Sequence, residues 1–264
     1  MKVFKEVYEY REMVFSLVRK ELRGRYKGSV LGFLWTFINP LLQLLVYTMV
    51  FSVIMRQGIE QYYLFLFVAL VPWMFMSASM VGGASCVIAQ KDMVKKIYFP
   101  REVLPLSYVI SSFVNMLLTF IVVFAVLIVT GFGINPLAVL FLPLIMMVEF
   151  LVCVGIAFLA SALTVYFRDL EHILSIVAMA WQFLTPIMYP QSMVQESLEK
   201  HALLWKVWNL NPMTPVINAY REILYFKRIP DFNNIGSAIV LGLIVCVIGV
   251  IVFRHLQKGF AEEF

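Results

Sequence analysis

The strongest constraint on this chain is the length of its stretches without an ionisable residue. Gly28–Met55, Gln61–Gln90 and Val103–Val148 contain no Asp, Glu, Lys or Arg, and Phe150–Phe167, Ile173–Gln195 and Phe232–Phe253 are likewise uncharged. A helix rising 1.5 Å per residue needs roughly 20 apolar residues to cross a hydrocarbon core of about 30 Å. The third run is long enough to need a break, which Gly131, Gly133, Asn135 and Pro136 supply. No water in a bilayer satisfies the backbone, so spans must be helices or a closed barrel, and uninterrupted rather than alternating apolar runs select helices. The expected fold is all-α, a polytopic membrane protein with six transmembrane helices at about 31–55, 61–84, 104–130, 137–163, 173–190 and 235–254. A composition of 62% hydrophobic and 14% charged residues excludes a water-soluble domain.

Lys and Arg fall mainly in alternate connections. Lys2, Lys5, Arg11, Arg19, Lys20, Arg23, Arg25 and Lys27 precede the first span, Lys91, Lys95, Lys96 and Arg101 follow the second, Arg168 follows the fourth, and Arg254 and Lys258 follow the sixth. The opposite connections hold Arg56, nothing after the third span, and five basic residues in a long segment that translocates largely regardless of charge. The positive-inside rule places both termini in the cytoplasm. The net charge of +5 reads as this topology signal, not as a nucleic-acid surface. Residues 1–30 lack an apolar core followed by small residues, so no cleaved leader is expected. Cys86, Cys153 and Cys246 stand singly in apolar runs and read as packing residues.

The connections carry the candidate chemistry. Phe4, Val7, Tyr8, Val14, Phe15, Val18 and Leu22 recur at three- and four-residue spacing among basic residues, so residues 1–30 are expected to form an interfacial amphipathic helix. It either anchors the topology or brings Arg23, Arg25 and Lys27 to the phosphates of a lipid-linked substrate. Val87–Tyr98 reads as a short charged helix stopped at Phe99-Pro100, because the residue before a proline is pushed out of helical geometry. It is either a solvated loop or a lever that docks into a cytoplasmic partner. Past the fifth span, Trp205, Trp208 and their apolar neighbours lead into Asn211-Pro212, and Val216, Ile217, Tyr220, Ile223 and Leu224 recur at helical spacing. Short re-entrant extracytoplasmic helices are expected there, as a gate or as a simple lid.

Within the spans, Glu149 stands alone as an acid, a functional candidate or an interhelical hydrogen bond. Ala78, Gly82 and Cys86, and Cys153, Ala157 and Ser161, place small residues at four-residue spacing and mark close packing. Phe33, Trp35, Phe37, Tyr47 and Phe51 in the first span and Trp181, Phe183 and Tyr189 in the fifth could offer flat faces to sugar rings if they line a conduit. No Gly-x-x-x-x-Gly-Lys-Ser/Thr, His-Glu-x-x-His, Cys-x-x-Cys or Gly-x-Ser-x-Gly occurs, so the chain carries no recognisable means of hydrolysing ATP.

Four motifs then resemble a known family. The stretch Arg19–Pro40, RKELRGRYKGSVLGFLWTFINP, Lys95–Pro105, KKIYFPREVLP, Tyr166–Leu170, YFRDL, and Asn211–Pro215, NPMTP, with Tyr220-Arg221 are similar to the membrane subunits of ATP-binding-cassette exporters of polysaccharides and polyol phosphates, the group that exports O antigen, capsule and teichoic acid. The resemblance runs in order over nearly the whole chain. It implies a homodimer in the cell (inner) membrane that encloses a conduit, with two copies of a separate cytoplasmic ATPase holding ATP and Mg, and no cofactor on this chain. It implies that Val94, Lys95, Lys96, Tyr98, Phe99, Pro100, Arg101, Glu102, Arg168 and Asp169 couple to the ATPase, that the first and fifth spans line the path, and that Trp205, Trp208, Asn211, Pro212, Tyr220 and Arg221 gate its outer end. The implied cargo is a lipid-linked glycan among membrane lipids. Residues 31–256 would form the transmembrane domain and 257–264 a cytoplasmic tail. Alternatives are an exporter of a small lipid or drug and, from another class, a membrane transferase using Asp169, Glu171 and His172.

Overall fold

The computed structural model describes residues 8–25, 27–54, 58–198, 201–260 and 262–263; Phe4, Val7, Lys2, Lys5 and Arg56 of the sequence reading lie outside them. The described residues form helices and turns, with no strand among them. In chain order the α-helices are α1 (Arg11–Gly24), α2 (Trp35–Thr48), α3 (Tyr62–Ser85), α4 (Lys91–Lys96), α5 (Val103–Val129), α6 (Pro136–Val139), α7 (Leu142–Tyr166), α8 (Leu170–Leu184), α9 (Gln191–Leu198), α10 (Ala202–Asn209), α11 (Met213–Leu224) and α12 (Phe232–Leu256).

Among the described residues, five stretches are long and apolar enough to cross a membrane: Gly32–Ser52, Tyr62–Ser85, Val103–Val129, Pro136–Tyr166 and Phe232–Gly259. Where a sixth is expected at 173–190, α8 has 15 residues. At 1.5 Å per residue it reaches about 22 Å, short of a 30 Å core. The helix stops at Leu184 because Thr185, before Pro186, adopts an extended conformation. The break in the third run falls where the glycines put it: Gly131 and Gly133 take φ of 67° and 82°, a left-handed region costly for other residues. Asn135 then starts α6 by accepting from Leu137 N at 3.1 Å.

α3 is the centre of the fold, apolar all round and buried along most of its length, as such a helix must be. α5, α7, α2, α8 and α11 pack around it. α12 lies across α7 at a crossing so close that a Cβ on Gly249 would collide with the Gly155 carbonyl, and one on Gly155 with the backbone at Val245. The outer face of α12, including Val240, Val247 and Ile251, remains exposed. Of the small residues singled out by spacing, Gly82 lies so close to Tyr108 that a Cβ there would collide with its hydroxyl, and Ala157 packs against the neighbouring Gly83, where a Cβ would come 2.9 Å from its own. α1 lies against α5 with Val14, Leu17 and Val18 buried and Tyr8 and Phe15 exposed. Residues 257–260 do not trail away, since Phe260 is fully buried against Phe253 and Tyr166.

Candidate functional site: a polar groove between two linked ends

On α2, Thr36, Asn39, Gln43 and Tyr47 recur at spacings of three and four and so share one face. Gln43 Nε2 donates to Asn39 Oδ1 at 3.3 Å, and Gln182 Nε2 of α8 donates to the Tyr47 hydroxyl at 3.2 Å. Ser175 and Gln182, two turns apart on α8, face Gln43 and Tyr47 across a groove of about 730 Å³ that Ser77 and Tyr108 also line. Met74 and Ala78 form a wall common to this groove and to a cavity of about 370 Å³ lined by Arg25, Thr36, Asn39, Ser112, Asn115 and Thr119. Arg25 Nη2 donates to Ser112 Oγ at 2.7 Å, and its guanidinium lies 5.5 Å from the Tyr108 ring centre. Ser112 is nine residues into α5, so Arg25 reaches about 14 Å along that helix. Pro40 removes the amide that would bond the Thr36 carbonyl, and Thr119 Oγ1 of α5 lies 3.5 Å from that oxygen.

The aromatic residues chosen from the sequence divide. Tyr47 lines the groove and Trp35 the Arg25 cavity. Phe33 faces α1 together with Arg23 and meets Phe37 edge-on at 5.4 Å. Phe51 packs on Tyr62, Trp181 packs on Trp73, and Phe183 is exposed while its carbonyl accepts from the Tyr189 hydroxyl. Lys27 is exposed. The sequence reading missed Asn39, Gln43, Ser175 and Gln182. Their signal was polarity at helical spacing inside uncharged runs.

At the end of the molecule carrying α4, Lys95 and Lys96 are exposed and Tyr98 is 95% exposed, whereas Val94 and Phe99 turn inward. Glu102 is only 3% exposed and starts α5. Its Oε1 accepts from Arg254 Nε at 3.2 Å and from Gln257 Nε2 at 3.1 Å. Arg101, just past Pro100, donates to the Gln257 carbonyl and lies 5.7 Å from the Phe260 ring centre. Arg168, Asp169, Glu171 and His172 are exposed at the turn into α8. Burial first, then the Glu21 carboxylate, push up the thiol of Cys86, just past α3.

At the other end, α11 is buried on every side except at Asn218. The Tyr220 hydroxyl donates to Glu149 Oε2 at 2.6 Å, and its ring stacks on Phe120. The Arg221 guanidinium donates to the carbonyls of Pro186, Ile187 and Tyr189 and lies 3.6 Å from the Phe65 ring centre. Asn211 Oδ1 accepts from Trp181 Nε1 and from Met213 N, both at 3.0 Å, while its Nδ2 donates to Thr185 Oγ1 at 2.9 Å. Pro212 precedes the first turn of α11. Trp205 and Trp208 stack at 5.5 Å on α10, beside exposed Leu203, Leu204 and Val207. The residues expected to gate the path thus form two groups, a buried brace around α11 and an aromatic pair on α10.

Apolar helices of spanning length make this a multi-pass membrane protein. The chain belongs to the ABC-2 type transporter family, whose model matches residues 12–225. It is 35% identical to the O-antigen export system permease protein RfbA of Myxococcus xanthus, over 100% of this chain and 99% of that protein. It is 32% identical to the protein of that name from Klebsiella pneumoniae, over 95% and 94% of the two chains. The polysialic acid transport protein KpsM of Escherichia coli is 22% identical over 93% and 94%.

Proposed function

We propose that this chain is the membrane subunit of an ABC exporter that moves a lipid-linked polysaccharide, of the O-antigen, capsule or teichoic acid kind, out of the cytoplasm across the cell (inner) membrane. The observation that carries the reading is the polar track Asn39–Gln43–Tyr47–Gln182 along α2 and α8. Hydroxyl-rich cargo exchanges hydrogen bonds with such side chains, while an apolar drug gains nothing from them. Exposed apolar residues flank the track, Leu41 and Leu45 on α2, Met49 just past its end, and Ile176, Met179 and Phe183 on α8, and a second copy of the chain would cover them. Two tracks facing each other would enclose the conduit. In this arrangement α8 crosses as a short sixth span completed by Thr185–Pro190, α9 to α11 are the re-entrant cap, and both termini are cytoplasmic.

Arg25, with Arg23 and Lys27 nearby in sequence, supplies cations for the phosphates of the lipid carrier, and Asn39, Ser112 and Asn115 offer hydrogen bonds to the attached sugar. ATP and Mg belong to two copies of a separate ATPase. The α4 surface of Lys95, Lys96 and Tyr98 is the side offered to it, and Arg168 and Asp169 present a second exposed point. Buried Val94 and Phe99 carry displacement inward. The test is reconstitution with the ATPase subunit in vesicles, scored by ATP-dependent appearance of lipid-linked glycan on the far side. Export by the chain alone, or ATP hydrolysis by it without the partner, would refute the reading.

A further inference from the structure

The short segment after α4 is clasped to the other end of the chain. Glu102 opens α5, and its carboxylate takes hydrogen bonds from Arg254 and Gln257, which close α12. The clasp is reciprocal, since Arg101 donates to the Gln257 carbonyl at the C-terminal end of α12, where a cation is favoured. Tyr166 at the end of α7 donates to the Leu256 carbonyl at 2.8 Å. Phe260, fully buried, closes the cluster against Phe253, Tyr166 and the Arg101 guanidinium. Glu102 is thus turned into the subunit, away from the surface that exposes Tyr98.

We infer that the Glu102–Arg254 pair, with Arg101 on Gln257, is a transmission link by which displacement of α4 is passed to the last membrane span; Glu102 and Arg254 are positioning residues, not docking residues. The inference rests on the coupling role proposed for α4. Three features of the geometry carry it. Only Ile97 to Arg101 separate α4 from Glu102, and Pro100 stiffens that stretch. The ion pair is nearly dry on the Glu102 side, so breaking it leaves a buried carboxylate short of donors and holds the two ends together more firmly than an exposed pair would. Beyond the link, α12 meets α7 backbone to backbone at Gly155 and Gly249, a contact with little slack through which a rigid shift continues. Packed elements of this kind move between discrete arrangements instead of deforming.

The test uses the full chain reconstituted in lipid bilayers with its ABC ATPase subunit. Cys86, Cys153 and Cys246 are replaced by alanine, and a spin label is placed at F232C, an exposed position at the far end of α12. The distance between the labels on the two copies is measured with and without ATP. The parent complex should show an ATP-dependent distance change, which E102Q and R254Q should each reduce about two-fold or more while the ATPase still copurifies in equal amount. The charge-exchanged E102R/R254E chain should recover at least about half of the change, as expected of a pair that acts as a unit. An undiminished shift in both single variants, or no recovery in the exchanged chain, overturns the link. Failure of the single variants to assemble would make the clasp a brace of the fold and also overturn it. No ATP-dependent change in the parent complex would instead count against the coupling role of α4 itself.

Discussion

α8 and α11 are near neighbours along the chain and similar in length, yet their surroundings are opposite. Every residue of α11 but Asn218 is buried, whereas on α8 only Ala178 is. The charged and phenolic groups of α11 find partners inside the subunit: Tyr220 on Glu149, Arg221 on three carbonyls of the Pro186–Tyr189 bend, Glu222 on Arg228 at 2.7 Å and on the Asp231 amide at 2.9 Å. α8 and its neighbour α2 keep their Gln and Ser side chains on an open groove and their apolar residues uncovered. One helix is covered by the rest of the chain and the other is not. Substitutions on α11 should therefore read out as stability, and those on α2 and α8 as transport.

The sharpest way to break this contrast is Arg221→Ala. Arg221 is 2% exposed, and its removal strands several buried carbonyls and opens a void beside Phe65. A cost of about 3–5 kcal/mol is expected for losing one partner of a buried charged network. The measurement is thermal unfolding of the purified chain in detergent, with Arg221→Lys intermediate because ammonium cannot reproduce the planar fork. An unfolding temperature equal to the parent's would show that α11 is not the brace described here.

Gly249→Val tests the same rule at the α7–α12 crossing. The new side chain would meet the Gly155 backbone, which has no flexible end to give way, and overpacking of this kind costs about 1–3 kcal/mol. Gly236→Ala, where a Cβ meets nothing within 4 Å, is the control and should unfold like the parent. If both variants unfold alike, the crossing is looser than the geometry states.

Much of this architecture was legible in the sequence because its signals are local. Charge-free runs located the five long helices, Gly131 to Pro136 marked the break, and Phe99-Pro100 marked the end of α4 to within a few residues. The shortness of α8 was not legible, since the uncharged stretch continues to Gln195 and masks the stop that Pro186 imposes. Partnerships between distant positions were also hidden. Nothing about Glu102 taken alone announces Arg254, 152 positions away, and nothing about Arg221 announces carbonyls more than 30 residues earlier. Aromatic content was an incomplete guide to the groove, because rings such as Phe51 and Trp181 pack on other rings while amides occupy its open face.

On the groove side, Gln43→Leu and Gln182→Leu sharpen the comparison in the other direction. Each removes one interhelical or intrahelical hydrogen bond, worth about 0.6 kcal/mol on average within a membrane, so the unfolding temperature should hardly move. Export of lipid-linked glycan per ATP consumed should fall about ten-fold in the double variant, a transition-state loss of roughly 1.4 kcal/mol. Export at the parental rate would remove the track from the path.

The smallest effect is expected for Glu149→Gln, at the position where the choice between structure and function is most direct. Its carboxyl group is fully buried, Oε2 accepts from Tyr220, and Oε1 has no hydrogen-bond partner among the described residues. A carboxylate maintained there for its charge would be expected to have a cation beside it; what contacts it is a phenol. If Glu149 serves only as the acceptor that seats Tyr220, then Glu149→Gln keeps that acceptor on its amide oxygen and should alter stability by less than about 1 kcal/mol, the net worth of one ordinary hydrogen bond. Glu149→Leu removes the acceptor and strands the Tyr220 hydroxyl in an apolar core, so it should cost about 1–3 kcal/mol. Unfolding temperatures of the two variants, with transport per ATP measured alongside, separate the roles. A Gln variant as stable as the parent but unable to export would show that the acid itself takes part in the transport cycle, and would move Glu149 from the covered half of the molecule to the working half.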